Sequence, residues 1–242
     1  FTLNFLAQYA DRGSFIREQI LNLHPNEARR LFQALIDNCQ PQNRSYLYNF
    51  FYDNCATRIR DQIVRNLDGE LIYTQSVTDQ SLRDIVHEYS QPHPWSLFGQ
   101  DLLLGAEADH QADRKSQQFA PLYLERDLST ARIKAADGTE RPLVSETRML
   151  LPEMDPKPIE PCPVTPLVCA IALLVVTAVI TGLELRMKKT CWIYDLILLA
   201  SQGIVGLIIS FMFFFSIHPT VGSNWLILLF NPLPLLFLYP VI

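Results

Sequence analysis

Of the five cysteines in this chain, Cys55 lies where a nucleophile is expected. It follows Asp53-Asn54, two good helix-capping residues, and opens a helix predicted from Cys55 to Leu67. The first turn of a helix has unpaired backbone N–H groups and the positive end of the helix dipole, which both favour a thiolate. The same N–H groups could bind the oxyanion of a tetrahedral intermediate. Cys55 thus lies where a nucleophile would be placed, and Arg58 adds positive charge nearby.

Two other roles for Cys55 stay open from the residues alone. A cysteine at the start of a helix, behind an aromatic segment, can simply be buried. Alternatively, Cys39 and Cys55 could form a disulfide, which an oxidising compartment would permit. The other cysteines are expected to be bystanders in a linker or membrane region: Cys162, Cys169 and Cys191.

A nucleophilic cysteine usually needs a base, and spacing alone selects none of the histidines for that role. There are five of them: His24, His87, His93, His110 and His218. Asp109, His110 and Asp113 have a loose metal-ligand spacing, but one histidine and two aspartates in a polar loop are more often solvated. We therefore expect no metal and no cofactor.

Apolar spacing predicts the elements that surround Cys55. One helix begins at Pro25, because proline is preformed for the first helical position, and another covers Asp79–Tyr89. The aromatic run Tyr46–Tyr52 has strand character, and residues 92–99 look like a packed loop. The positions expected to face a core are Ala28, Leu31, Phe32, Leu35 and Ile36, then Ile59, Ile63 and Leu67, then Leu82, Ile85, Val86 and Tyr89.

Charge divides the chain into a polar part and an apolar part. Residues 1–156 hold 16 Lys and Arg against 22 Asp and Glu, a net charge of −6. A mildly acidic domain without a basic run lacks the electrostatic footprint of a nucleic-acid binder, so DNA and RNA are excluded as partners. Val164–Leu185 and Trp192–Ile217 are each long and apolar enough to cross a membrane. Asn224–Ile242 is a third possible span, which its prolines would break or kink.

The loop between the first two spans sets the predicted orientation. Residues 186–190 read RMKKT, and short loops rich in Lys and Arg stay in the cytoplasm. The polar domain would then lie outside the cytoplasm, in the periplasm of a two-membrane bacterium. We expect a periplasmic domain over 1–156, a stiff proline-rich linker over 157–163 and a multi-pass inner-membrane region of about three spans over 164–242.

The residues around Cys55 also carry a family resemblance. The block from Tyr46 to Asp61, YLYNFFYDNCATRIRD, resembles the signature of the Lnb-type lipoprotein N-acyltransferases, which are bacterial envelope proteins. The resemblance covers most of the chain in the right order. Its supporting segments are Leu21–Leu23, Pro94–Gly105, Ala108-Asp109, Arg141–Val144, Ser216–Pro219, Asn224-Trp225 and Asn231–Leu233.

This resemblance implies an α+β fold: a partial, circularly permuted papain-like (NlpC-type) domain, followed by an all-α transmembrane bundle. It implies that Cys55 takes a fatty acyl chain from a membrane lipid as a thioester and passes it to the N-terminal amine of a lipoprotein. Asn54 and Asp53 would position Cys55 as helix-cap residues, and Arg58 would bind a lipid headgroup or steady developing negative charge. The family's catalytic histidine is expected upstream of the Asn-Cys block, in sequence that this chain does not contain. We therefore expect a fragment of a longer protein, and the alternative is an inactive member of the family.

Two other functions compete with acyl transfer. A papain-like peptidase or amidase acting on cell-wall peptides would also use Cys55, but it needs a water-filled groove. A membrane-anchored binding module would need no catalytic group, and Cys55→Ser would leave its function intact.

Overall fold

The computed structural model describes residues 2–152 and 162–237. The helices are α1 Thr2–Asp11, α2 Pro25–Asn38, α3 Cys55–Arg65, α4 Leu82–Ser90, α5 Pro94–Leu103, α6 Arg114–Gln117, α7 Pro121–Thr130, α8 Pro166–Met187, α9 Trp192–Phe215 and α10 Pro219–Gly222. The strands are β1 Ile16–Leu21, β2 Glu70–Ile72, β3 Arg132–Lys134, β4 Glu140–Pro142 and β5 Val144–Leu151. Short 3-10 turns cover Ala106–Asp109, Trp225–Leu228 and Leu233–Phe237.

These elements form two compact units. Phe1–Asp79 and Ala112–Pro158 make up one, named here the N-terminal unit. Gln80–Gln111 and Ile159–Ile242 make up the other, the membrane unit. The domain boundaries expected from the sequence stay a prediction, and most of the expected linker over 157–163 lies outside the described residues.

Two small antiparallel sheets and a helical pair build the N-terminal unit. Strands β1 and β5 pair antiparallel, and β2, β3 and β4 form a three-stranded sheet in that order. Helix α3 and helix α7 pack beside the second sheet and bury one apolar cluster. Its members are Ala56, Ile63, Leu124, Leu128, Ala131, Ile133 and Leu143. Helix α3 therefore has one side anchored in the core, and Cys55 begins that helix.

The helix predicted from Pro25 forms, but its apolar side is not buried as expected. Phe32 is 65 % exposed, and Leu35 and Ile36 are exposed as well. The residue that α2 buries is Glu27, which accepts hydrogen bonds from the backbone N–H groups of His24 and Asp68 and pairs with Arg141. Helical periodicity correctly predicted the helix, but the side chain that α2 buries is the charged Glu27 and not the apolar residues that were expected to be buried.

The strand predicted over Tyr46–Tyr52 is wrong, because residues 46–48 are irregular and residues 49–53 form a tight turn. A single antiparallel bridge joins Asn49 to Asp53, and the Asn49 side-chain oxygen accepts hydrogen bonds from the backbone N–H groups of Phe51 and Tyr52. Phe51 is the buried aromatic of the run. The asparagine closes the turn with local hydrogen bonds, which aromatic content alone does not reveal.

Three further expectations are corrected, two in the membrane unit and one in the N-terminal unit. Residues 94–99 belong to helix α5 rather than a packed loop, because Pro94 occupies the first helical turn, where a missing N–H costs nothing. The α4 positions Leu82, Ile85 and Val86 are buried as expected, whereas Tyr89 is exposed. In the N-terminal unit, Ile59 of α3 is likewise exposed.

Two described helices are long and apolar enough to cross a membrane. They are α8, with 22 residues, and α9, with 24 residues, and they match the first two predicted spans closely. The third predicted span forms only short 3-10 turns up to residue 237, and its remainder lies outside the described residues. The mixed α and β fold with a helical C-terminal part is confirmed, while the papain-like assignment rests on the resemblance.

Candidate active site

Asn54 fixes the start of helix α3. Its side-chain oxygen accepts hydrogen bonds from the backbone N–H groups of Ala56 and Thr57, each at 2.9 Å. Its side-chain amide donates to the carbonyl oxygens of Phe50 and Phe119, both at 2.9 Å. One buried side chain therefore joins the turn, the helix start and the segment before α7, and it sets the position of the next residue, Cys55.

Cys55 is the first residue of α3, and it is an exposed free thiol. Cys39 is also exposed and free, so no disulfide joins the two in the described structure. The cap modifies the expected oxyanion site, because the N–H groups of Ala56 and Thr57 are taken by Asn54. The backbone N–H of Cys55 itself is then the first-turn donor that best suits an oxyanion at this position.

An apolar groove opens beside Cys55. It has a volume of about 230 Å³ and runs between the start of α3, helix α7 and strand β1. Its lining consists of Gln19, Cys55, Ala56, Ile59, Pro121, Leu124, Glu125 and Leu128. Most of this lining is hydrocarbon, and Glu125 is paired with Arg17 at 3.0 Å. The thiol therefore borders a groove suited to an alkyl chain.

Asp53 and Arg58 form a pair on the other side of Asn54. The Arg58 guanidinium donates to both carboxylate oxygens of Asp53, at 2.7 and 2.8 Å. Its Cζ also lies 3.4 Å from the centre of the Tyr46 ring. The hydrogen bonds from Arg58 hold the pKa of Asp53 below its usual value, against the opposing effect of burial. Asp53 therefore steadies Arg58 and the turn rather than capping α3 with its side chain.

The segment over residues 46–52, which precedes the thiol, is rich in aromatic side chains. Phe51 contacts Phe119 edge-on, with ring centres 4.8 Å apart, while Tyr46, Leu47, Tyr48, Phe50 and Tyr52 stay exposed. Burial raises the pKa of Tyr48, and the negative charge of a Cys55 thiolate raises it further. The Tyr48 hydroxyl is therefore neutral at ordinary pH and can donate a hydrogen bond close to Cys55.

The histidines do not complete a nucleophile–base pair. Among the described residues that line the groove, none is a histidine. His24 and His93 precede helices α2 and α5, and His110 is highly exposed. His87 Nε2 lies 2.8 Å from Asp101, and His218 Nδ1 lies 3.3 Å from the Ser216 hydroxyl. No general base is therefore assigned to Cys55 among the described residues.

Several residues of this site carried no signal in the sequence. The carbonyl oxygen of Phe119 accepts a hydrogen bond from the side-chain amide of Asn54. Leu124 and Leu128 of α7 line the groove. Gln19 reaches the groove from β1 and donates to the carbonyl of Glu125. These residues lie more than thirty positions from Cys55 along the chain, so only the tertiary fold brings them to it.

Comparison with known families defines the class of the protein. Residues 4–91 match the family model of the Lnb N-terminal periplasmic domain, and residues 159–242 match that of the Lnb transmembrane domain. The chain is thus a membrane protein of the bacterial envelope with a periplasmic N-terminal domain. It belongs to the Lnb-type family, an assignment that indicates an envelope protein like the lipoprotein N-acyltransferases. Comparison with curated proteins and with solved structures found no match.

Proposed function

We propose that this chain is a membrane-anchored acyltransferase in which Cys55 carries a fatty acyl chain to the N-terminal amine of a lipoprotein. The observation that carries the proposal is an exposed thiol, set by an asparagine cap at a helix start, that opens onto an apolar groove. A cell-wall hydrolase would need a water-filled groove for peptides. The hydrocarbon lining therefore favours an acyl substrate.

The proposed reaction has two steps. A general base takes the proton of the Cys55 thiol, the thiolate attacks the ester carbonyl carbon of a membrane lipid, and the C–O ester bond breaks. The lysolipid alkoxide leaves with the proton that the base had taken. The α-amino group of the lipoprotein's N-terminal cysteine then attacks the thioester. An amide forms, the C–S bond breaks, the amine proton passes to a base, and the thiolate is regenerated. The backbone N–H of Cys55 and the hydroxyl of Tyr48 would stabilise the oxyanion in each step.

The membrane anchor contributes to rate in this proposal. Both substrates lie in or on the membrane, and a tethered domain meets them without diffusing through water. In this proposal Arg58 neutralises part of the charge on a phospholipid headgroup, which is supported by the exposed surface that its guanidinium retains while paired with Asp53.

The test compares variants in cells that lack their own lipoprotein N-acylation. The full-length protein, Cys55→Ala and Cys39→Ala are expressed, and lipoprotein N-terminal peptides are analysed by mass spectrometry. Cys39→Ala is the matched control, because Cys39 is also a free exposed thiol. We expect an N-linked acyl chain with the wild type and with Cys39→Ala, and none with Cys55→Ala. Cleaved cell-wall peptides without acylation would support the hydrolase, and an active Cys55→Ala would support a binding or assembly role.

A second pair of variants tests the groove. Ile59 and Val64 are both exposed residues of helix α3, but Ile59 lines the groove at Cys55 and Val64 does not. A charge in an apolar acyl site opposes binding of the chain, so Ile59→Asp should lower transfer about ten-fold. Val64→Asp should leave transfer near the wild-type level. Equal losses in both variants would argue against the groove as the acyl site.

A further inference from the structure

Helix α5 of the membrane unit has two chemically different sides. Asp101 lies on the side facing α4, where its carboxylate accepts hydrogen bonds from Arg83 at 2.7 Å and from His87 at 2.8 Å. The other side is apolar and open: Trp95 is 46 % exposed and Phe98 is 48 % exposed. Asp101 follows Phe98 by three positions, so the ion-paired side flanks the exposed aromatic side. A helix with one polar and one exposed apolar side is the pattern of an amphipathic helix that lies on a membrane surface.

Trp95 fixes the level of this helix relative to the membrane span. Its indole Nε1–H donates a 2.7 Å hydrogen bond to the carbonyl oxygen of Val164, two residues before α8 begins at Pro166. Because α8 is long enough to cross the membrane, its first turn marks the boundary of the hydrocarbon core. Tryptophan is enriched at this boundary, where its ring is apolar and its N–H needs a partner.

The apolar side of α5 continues along the helix. Trp95 and Phe98 are in edge-on contact, with ring centres 6.2 Å apart, and Leu103 is exposed further along. Gly99 lies between them, and a Cβ atom added there would meet nothing within 4 Å. The first turn of α8, just after the Val164 carbonyl that Trp95 contacts, adds exposed Leu167 and Val168. A single apolar surface therefore extends from the start of the span onto α5.

We propose that α5 is an interfacial helix whose Trp95–Phe98 side is seated in the headgroup region of the outer leaflet. The occupant of this surface is lipid, because the surface is continuous with the exposed start of a membrane span. The adjoining Asp101 side stays ionic. Burial raises the pKa of Asp101, but the hydrogen bonds from His87 and Arg83 outweigh it and keep that pKa below its usual value. The inference rests on the membrane region and not on chemistry at Cys55, so it can fail while the proposed function stands.

The test measures the fluorescence of Trp95 to show whether its side chain contacts lipid. Trp192→Phe and Trp225→Phe leave Trp95 as the remaining tryptophan, and the full chain is reconstituted in phosphatidylcholine liposomes with or without brominated acyl chains. An aromatic side chain seated at the acyl boundary should lose emission about two-fold in the brominated lipid. The control protein replaces all three native tryptophans with phenylalanine and carries Ala136→Trp as its single tryptophan. Residue 136 lies in the polar turn between β3 and β4, so its emission should not be quenched.

Variants at Gly99 then test the whole apolar side. Gly99→Asp puts a charge into it without a steric clash and should remove most of the quenching, while Gly99→Ala should preserve the quenching. Trp95 emission that only aqueous iodide quenches would overturn the proposal. Quenching by brominated lipid that Gly99→Asp leaves unchanged would also overturn it, because Trp95 alone would then contact lipid.

Discussion

At the scale of single residues, the geometry around Cys55 depends most on Asn54. Its oxygen caps α3, and its amide group bonds to two carbonyl oxygens from different segments. Asn54→Ala should lower the free energy of unfolding by about 2 kcal/mol or more, because it removes the cap and leaves buried groups without partners. Acyl transfer should fall as well.

The control for this prediction is an exposed asparagine. Asn43 donates its side-chain amide to the carbonyl of Asp37 on the surface, so Asn43→Ala should change little. Asn54→Asp separates the two roles, because it keeps the capping oxygen and loses both amide donors. Thermal unfolding in detergent, followed by circular dichroism, measures all three. A stable and active Asn54→Ala variant would contradict the role assigned to Asn54 in positioning Cys55.

Glu27 gives a prediction about pH. Its carboxylate is fully buried, and its pKa, which burial raises, is held below the ordinary value by hydrogen bonds from Asp68, His24 and Arg141. A lowered folded pKa contributes stability above the unfolded pKa, roughly 4.3, and this stability is lost as pH falls through the folded pKa. Glu27→Gln breaks a buried ion pair and should cost about 3 kcal/mol near neutral pH.

The melting temperature as a function of pH checks this sign. The difference in melting temperature between wild type and Glu27→Gln should be largest near pH 7 and should shrink below about pH 4. Glu18→Gln is the control, because Glu18 lies on the exposed side of β1, 4.0 Å from Arg148. A gap that stays constant down to acid pH would contradict the assigned role of the carboxylate.

At the scale of elements, Gly206 lets helix α9 pack closely against the chain near Asn231. A Cβ atom at Gly206 would lie 2.4 Å from the backbone of Asn231, whereas one at Gly182 of α8 would meet nothing within 4 Å. Alanine is the better helix former by up to about 1 kcal/mol, so Gly182→Ala should be neutral or stabilising. Gly206→Ala should destabilise, because backbone must move to admit it. Unfolding in detergent measures both, and a stabilising Gly206→Ala would contradict the packing of α9.

Local signals predicted elements better than they predicted which side of an element is buried. The start of α3 followed from the Asn54 cap and that of α2 from Pro25, because these residues act on their own backbone. The buried side of α2 was wrong, because Glu27 finds its partner at Arg141, more than a hundred residues away. Residues 46–52 were mistaken for a strand, because the Asn49 turn depends on side-chain hydrogen bonds. Of the site, Cys55 and its cap were predictable, whereas the groove required the fold.

At the scale of the whole molecule, the predicted orientation can be tested with the chain's own cysteines. Cys39 lies in the N-terminal unit, and Cys191 lies in the turn between α8 and α9. The Lys and Arg residues of that turn predict a cytoplasmic location. In spheroplasts, a membrane-impermeant maleimide should label a variant that retains only Cys39. A variant that retains only Cys191 should be labelled only after permeabilisation, and labelling of both before it would contradict the orientation.

The central claim is that Cys55 carries the acyl chain. The direct measurement incubates the wild-type protein in liposomes of one defined phospholipid, without lipoprotein, and then determines the mass of the peptide containing Cys55. We predict a hydroxylamine-sensitive mass increase equal to that acyl group on Cys55, with Cys39 unmodified in the same sample. If the protein transfers an acyl chain to a lipopeptide while the peptide containing Cys55 shows no added mass, the role of Cys55 as the acyl carrier is contradicted.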